Sequence, residues 1–531
     1  IRRSATISLF SHDDAEMMSA KTGNWFIENP QRGRSNNSVL LLRDKTTWEQ
    51  FKAVIESTKQ YGEPGFYWAS DVEHGCNPCV EIGLYPKTAD GRSGFAWCNL
   101  CEINGKSCDT EQRFLDACRA AAILGTMQAG YTGFKYLTPA TKEIADREAL
   151  LGVSITGLLD NPAVLFSPTL QRAGAKVCKD TNARVAKLLG LNRAARITCT
   201  KPSGSTSCVL QTASGIHPHH ARRYLRRVQG NRLEFPLQHY KLINPAAVEA
   251  SVWAANGTDE VISFACEVPK GAILKNDLDA VALLSKIKSS QANWVLEGEN
   301  PELAASPGLH HNISNTVTVR PDEWEKVARY IYDNREFFTG ISLLPASGDL
   351  DYPQAPFATV LPPEEIVREY GDGSILASGL VVDGLAAFEG NLWAACDRAL
   401  GLNGQPARLP QPQEPQKPKG GMVMTNKAFT AAMADYAIQL NLYYQEMGVY
   451  RQSEAQHDWV RRLIQFADRY FDKDARRATY CLKHVSLWHT WLAIKRTHQA
   501  VDWTTVQEET QQHVAADTLG ATACQGGACA I

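Results

Sequence analysis

EHGCNPCVEIGL (residues 73–84) places Cys76 and Cys79 three apart, and AWCNLCEING (96–105) repeats that spacing with Cys98 and Cys101 after eighteen intervening residues. By spacing alone the four cysteines fit the C-x2-C-x15–20-C-x2-C pattern of a structural zinc site. A zinc knuckle favours glycine after its second cysteine, where the chain turns to aim amides at the sulfurs. Here those positions hold Val80 and Glu102. A β-branched Val80 resists positive φ and predicts an extended backbone. An extended chain puts Asn77, Cys79 and Glu81 on one face, at about 6.5 to 7 Å per two-residue step, while Cys76 and Val80 point away. An amide, a thiol and a carboxylate on one face suit a polyhydroxylated substrate. Asn77 can hold a hydroxyl, Glu81 can accept its proton, and Cys79 can act on the adjacent carbon. Spacing leaves both readings open.

The rest of the chain sets the context for that stretch. With 531 residues, 44% of them hydrophobic and 21% charged, there is apolar material for a large core and more than one domain. A net charge of -2 gives no electrostatic reason to expect a nucleic-acid polymer or an anionic membrane as partner. The basic stretch ARRYLRR (221–227) reads as a local patch on a helix. No apolar run approaches the ~18 residues of a membrane span, and neither a span nor a signal peptide is expected. Fourteen cysteines are too sparse for a secreted disulfide scaffold, so a soluble protein with mostly reduced cysteines in a cytoplasmic setting is expected.

TTWEQFKAVIESTKQYG (46–62) carries a Thr47 cap with Gln50 three residues on, apolar residues at helical spacing, and a stop at Gly62. Strand-like runs at 38–43, 152–159, 196–200 and 313–319 alternate with helical stretches, so the fold class is α/β. Residues 1–402 form the main body. A proline- and glutamine-rich linker covers 403–421, and a helical region covers 422–510, with three helical patterns between 426 and 500. Within it Trp459, Leu463, Phe466 and Tyr470 mark a buried stripe. The glycine-rich stretch 511–531 reads as a mobile tail.

Several of these motifs occur together in one family. NPCVE (77–81) followed by CNL (98–100) resembles the active-site finger loop of ribonucleotide reductases. KPSGSTSCVLQTASGIHPHHARRYLRR (201–227) is similar to that family's phosphate-binding turn and the strand and helix around it. HHNISNTVTV (310–319), FFTGISLLP (337–345) and YPQAPF (352–357) are similar to the adenosylcobalamin-dependent (class II) ribonucleoside-triphosphate reductases in particular. The resemblance spans roughly residues 1–400 and the tail, and its combination of motifs displaces zinc as the leading reading.

The resemblance implies part of a ten-stranded α/β barrel with a finger loop, followed by a small helical region. It implies reduction of ribonucleoside triphosphates, with diphosphates as the alternative, to deoxyribonucleotides for DNA synthesis. Cys79 would be the thiyl radical that removes the 3'-hydrogen, Glu81 the base at the 3'-hydroxyl, and Asn77 the group that orients the sugar. Cys98 would be one of the two thiols that deliver electrons. Cys76 and Cys101 match no catalytic position.

Pro202, Ser203, Gly204, Ser205, Thr206 and Ser207 would hold the substrate phosphates. Their small side chains and hydroxyls also give an independent case for oxyanion binding. Cys524 and Cys529 would shuttle electrons from a thioredoxin-like reductant, since thiol exchange needs reach and access. Leu343 and Leu344 stand where class I relatives carry paired tyrosines, which implies adenosylcobalamin as cofactor. No D-x-H-x-x-G motif occurs, so cobalt ligation by a protein histidine is not indicated, and the spacing of His217, His219 and His220 beside Pro218 and a basic helix reads as a surface or structural role, with no metal assigned.

One departure stands out. The family's other reducing cysteine lies well upstream of the NPC motif, and no cysteine precedes Cys76 here. The N-terminal half-barrel is expected to be missing or supplied by a separate chain, and the isolated chain is expected not to turn over. The rival readings are a class I large subunit needing a metal-containing partner, and a zinc-binding module using Cys76, Cys79, Cys98 and Cys101.

Overall fold

The structure, a computed structural model, describes residues 6–97, 99–254, 257–346, 350, 352–402, 408–419 and 426–504. The chain divides into two compact units, each discontinuous in sequence: Ile1–Arg222 with Glu267–Ser347, and Arg223–Cys266 with Gly348–Ile531. The compositional break at 403 falls inside the second unit and does not mark the division between them.

In the first unit β1 (Thr6–Phe10), β2 (Ser35–Leu42) and β3 (Gly65–Ala69) form a parallel sheet in that order. A short antiparallel pair follows, β4 (Gly75–Cys76) with β5 (Gly83–Leu84). Next comes a second parallel sheet of β6 (Asn99–Asn104), β7 (Leu151–Thr156) and β8 (Thr198–Cys199). The chain then supplies β9 (Arg223–Asn231), β10 (Val248–Ala250) and β11 (Asp259–Glu267) to a different sheet, before β12 (Thr316–Val319) pairs in parallel with β13 (Ser342–Pro345). Last comes β14 (Phe357–Thr359).

Two contacts join the pieces of the first unit. Trp68 N donates to Thr339 O at 2.7 Å, just before β13, and Thr200, just after β8, bridges in parallel to Ile313, just before β12. Eight strands therefore follow one another as β1-β2-β3-β13-β12-β8-β7-β6, an arc of α/β barrel. Helices Trp48–Tyr61, Glu111–Ala129 and Pro168–Leu189 lie between consecutive strands.

Sequence explains these elements locally. Thr47 and Gln50 form the reciprocal capping box, Gly62 closes the helix at φ +79°, and Phe51, Val54 and Ile55 are buried as the spacing predicts. LGVSIT in β7 is buried at every position, as a parallel strand covered on both faces requires. The core gathers Leu41, Phe51, Trp68, Val153, Ile197, Trp294 and Val317.

The second unit holds a four-stranded sheet in the order β10-β11-β9-β14 and a helical core. Two helices occupy 426–500 where three patterns were expected: Asn426–Tyr470 and Ala475–Thr497. Gly448 lies inside the first and does not break it, because one interior glycine costs only about 1 kcal/mol. Trp459, Leu463 and Phe466 are buried, and the Trp459 indole donates to Leu380 O at 2.7 Å. The basic stretch at 221–227 is not helical; it enters β9, with Arg226 opposite Phe357 and Leu225 opposite Ala358. Among the described residues no single helix is long and apolar enough to cross a membrane.

Candidate active site

Residues 75–84 leave the barrel wall as a hairpin with β4 and β5 as its stem, and strands on several sides hold its tip. Asn36 Nδ2, on β2, donates to Pro78 O at 2.7 Å, and Ser314 Oγ, before β12, donates to Cys79 O at 2.6 Å. Asn312 N donates to Glu81 O at 2.9 Å, and Arg196 Nη2, before β8, to Gly83 O at 3.2 Å. The fifth tie is His311, whose Nδ1 accepts from Gly83 N at 3.2 Å while its Nε2 donates to Leu151 O at 2.8 Å. Both ring nitrogens are thus committed with the imidazole neutral, and burial pushes its pKa down to about 3. Arg196 itself is enclosed and paired with the equally enclosed Glu148 at 3.1 Å.

The expectation of an extended segment is overturned at Val80, which sits at φ +64°. Its N–H closes a turn onto Asn77 O at 2.9 Å. A left-handed conformation in a β-branched residue costs on the order of 1–3 kcal/mol and persists only where the surroundings over-determine it. The five ties above do so, and a missing side chain makes the room: a β-carbon on Gly340 would stand 2.9 Å from Val80 Cγ1. Asn77, Cys79 and Glu81 are therefore gathered by a turn, not by strand alternation.

Within that turn Asn77 Oδ1 accepts from Ile82 N at 3.1 Å, which fixes the amide and leaves its N–H2 end to donate. Cys79 is half-buried. Glu81 is only 1% exposed, and neither carboxylate oxygen makes a hydrogen bond of good geometry, although the Asn77 side chain lies close enough to favour its charged form. Burial raises its pKa; the Asn77 side chain and the charge of Lys201 oppose the rise, and Glu102 adds to it. A buried carboxyl of raised pKa is equipped to take a proton from a bound hydroxyl.

Lys201 and Glu102 were not singled out from sequence. Glu102 pairs with Ser154 across β6 and β7, and Ser154 Oγ accepts from Lys201 N at 2.9 Å. Both act on Glu81 through their charge, Glu102 from β6 and Lys201 from just after β8, and the hint in the sequence was a charged residue inside a parallel strand. Ser314 was quoted within HHNISNTVTV but given no role.

The turn at 202–207 leads into the short helix Ser205–Leu210. Ser203 is fully buried, with no partner for its hydroxyl, and Ser207 Oγ donates back to Ser203 O at 2.7 Å and Gly204 O at 2.9 Å. Ser203 O also accepts from Ser214 Oγ at 2.5 Å. Nearby, His217 donates to Ser214 O and accepts from Thr316 N at 2.8 Å, and His219 is buried against Asp160. These are structural bonds. Cys101 faces helix Glu111–Ala129, its Sγ 3.6 Å from Gln128 Oε1, and burial raises the pKa of both Cys76 and Cys101. Among the described residues no group of three or more His, Cys, Asp or Glu could hold a metal ion. Cys98, Cys524 and Cys529 lie outside the described residues.

No protein-family model matches the chain. Among curated proteins it is 22% identical over 434 residues to the adenosylcobalamin-dependent ribonucleoside-triphosphate reductase of Euglena gracilis, covering 75% of this chain and 53% of that protein. It is 24% identical over 279 residues to the enzyme of the same name from Lactobacillus leichmannii, covering 43% and 35%. The chain thus spans about half the length, or less, of the curated relatives it matches. Among solved structures, a B12-dependent (class II) ribonucleotide reductase matches with a TM-score of 0.52 at 18% identity, over 68% of this chain and 52% of that one. That likeness shows the fold, the α/β barrel of these enzymes. In sequence over the matched stretches, and in fold, the chain is similar to the adenosylcobalamin-dependent ribonucleoside-triphosphate reductases.

Proposed function

We propose that the chain carries the substrate-reducing half of an adenosylcobalamin-dependent ribonucleotide reductase, acting on ribonucleoside triphosphates. The observation that carries this reading is the finger loop: a half-buried thiol, an amide anchored through its oxygen beside the carboxyl, and a buried carboxyl of raised pKa, brought together by a turn tied at five points.

Asn77 donates to a ribose hydroxyl and orients the sugar. Glu81, its pKa raised by burial, accepts the 3'-hydroxyl proton. Cys79 as a thiyl radical takes the 3'-hydrogen, and Cys98 is one of two thiols that together supply the two electrons and two protons with which the 2'-hydroxyl leaves as water, the pair closing to a disulfide. The turn Pro202–Ser207 binds the phosphates, with Lys201 adding positive charge, while Ser207 braces the turn through its own backbone bonds. When bound, adenosylcobalamin supplies the radical chemistry through its weak cobalt–carbon bond. What this chain must offer to that chemistry is a reachable sulfur. Cys79 fits, since it is half-buried, whereas Cys118, Cys178 and Cys199 are sealed in the core.

Residues 511–531, with Cys524 and Cys529, act as the redox tail for a thioredoxin-like reductant, and 403–421 is the linker to the helical region. The setting is cytoplasmic. The test compares wild type with Cys79→Ser, each given adenosylcobalamin, a dithiol and ribonucleoside triphosphates, alone and together with an N-terminal half-barrel chain. The expected result is that Cys79→Ser binds nucleotide as the wild type does and forms no deoxyribonucleotide. Retained reduction by Cys79→Ser would sink the proposal, as would failure of both proteins to bind nucleotide.

A further inference from the structure

Residues 408–419, RLPQPQEPQKPK, carry four prolines and take neither helix nor strand. A chain so rich in proline extends as a polyproline II helix, with three residues per turn. Its shielding from solvent follows that period: Pro412, Pro415 and Pro418 are half-buried, and every other residue of the stretch is exposed. One edge of the extended chain is therefore covered.

Helix Asn426–Tyr470 carries a matching edge. None of its residues from 427 to 446 is buried. Yet from 433 to 450 every residue is exposed except Met433, Tyr436, Leu440, Tyr443, Met447 and Tyr450, at alternating spacings of three and four. That spacing puts all six on one face. On the other faces Ile438, Leu442 and Tyr444 stand 62%, 51% and 63% exposed, so nothing covers the helix there. The cover over the six is narrow and runs along the axis, which is the shape of a single extended chain.

Position and length agree with this. Arg408 Nε lies 4.0 Å from Glu454 Oε1, which sets the start of the stretch beside the C-terminal end of the stripe. The pair is too exposed to add much energy, but it fixes a register. From Arg408 to Pro418 a polyproline chain runs about 31 Å, and from Glu454 back to Met433 the helix runs the same length. Measured from that ion pair, Pro412, Pro415 and Pro418 fall opposite Met447, Leu440 and Met433, each within about 2 Å along the axis.

We propose that this tyrosine-lined helix face is a binding site for a polyproline II segment, occupied by residues 408–419 of the same chain running antiparallel to the helix. Proline rings laid between aromatic rings are the means by which aromatic grooves take such segments, whose extended form costs little entropy to fix. The stretch is then a strap as well as a connection. It holds in helical form residues 427–446, which bury nothing and which alone would be marginal in water. The site is independent of the reductase reading.

Hydrogen exchange of the full chain, followed by peptide mass spectrometry, tests the site. With Pro412→Ala, Pro415→Ala and Pro418→Ala combined, the amides of 427–446 are expected to exchange at least tenfold faster than in the wild type, while those of 459–470, in the helical core, keep the wild-type rate. Equal exchange of 427–446 in the two proteins overturns the proposal. Cysteine pairs read the seating separately, should the triple variant fail to fold. Pro415→Cys combined with Leu440→Cys or with Tyr443→Cys is expected to close a disulfide, the two thiols being oxidised as glutathione disulfide is reduced to two glutathiones. Pro415→Cys combined with Ile438→Cys, on the opposite face, is expected to stay open. Closure with neither Leu440→Cys nor Tyr443→Cys, or equal closure with Ile438→Cys, overturns the proposal.

Discussion

Val80 is packed against Gly340 across 260 residues of sequence, so closely that any side chain on the glycine would press a β-carbon to 2.9 Å from Val80 Cγ1. The glycine in FFTGISLLP thereby governs the backbone of NPCVE. Gly340→Ala is expected to cost about 1–3 kcal/mol through overpacking and to displace the finger tip. Thermal unfolding measures the first effect, and the alkylation rate of Cys79 the second. A variant with wild-type stability and unchanged Cys79 reactivity would show that the contact does not hold the loop.

Ser314→Ala removes the hydroxyl that donates to Cys79 O. The loss should be near 1 kcal/mol, the usual net worth of such a bond, with Cys79 alkylated several-fold faster as its backbone loosens. Iodoacetamide kinetics followed by peptide mass spectrometry reads this at Cys79 alone, and an unchanged rate would count against the tie.

Glu81→Gln should stabilise the fold while removing the proposed base. Burial raises the Glu81 pKa, so ionising it at neutral pH is a penalty present above its unfolded value and relieved as pH falls. The isosteric amide avoids that penalty, and a gain of about 1–2 kcal/mol at pH 7 is expected. Urea unfolding at pH 7 gives the sign; a loss of stability would mean that the carboxylate has partners that satisfy it.

His311 has the opposite linkage. Its folded pKa, pushed down to about 3, lies below the unfolded value near 6.5, so its contribution is complete above pH 6.5 and is lost as pH falls toward 3. Between pH 7 and 5 this one group should cost about 2 kcal/mol of stability. His217, also buried with its pKa lowered, acts in the same direction. Urea midpoints at the two pH values should fall in the wild type and fall less in His311→Asn. Equal drops would assign the acid sensitivity elsewhere.

How much of this was legible beforehand depended on whether the cause was local. Thr47, Gln50 and Gly62 fix a helix by contacts within seventeen residues, and they read correctly. Asn77, Cys79 and Glu81 were recognisable as a set from their chemistry, yet the reason offered for their grouping was mistaken, because the φ of Val80 is decided by Gly340 and by ties from Asn36, Ser314 and Asn312. A propensity argument cannot see a neighbour 260 positions away. Glu102 and Lys201 escaped notice for the same reason, since their relation to Glu81 exists only once β6 and β8 stand beside the finger. ARRYLRR misled by composition: its basic residues read as a helix face, and pairing with β14 makes it a strand.

The antiparallel partnership of β9 with β14 also bears on how the protein is made. Arg226 meets Phe357, about 130 residues later in the chain. Synthesis runs from the N-terminus at about 5–20 residues per second, so β9 leaves the ribosome many seconds before the strand that will cover its edge. For that interval it is an open template for pairing with another nascent chain. Its arginines, Arg223, Arg226 and Arg227, put like charges along that waiting edge, so two such strands repel each other until the rightful neighbour is made.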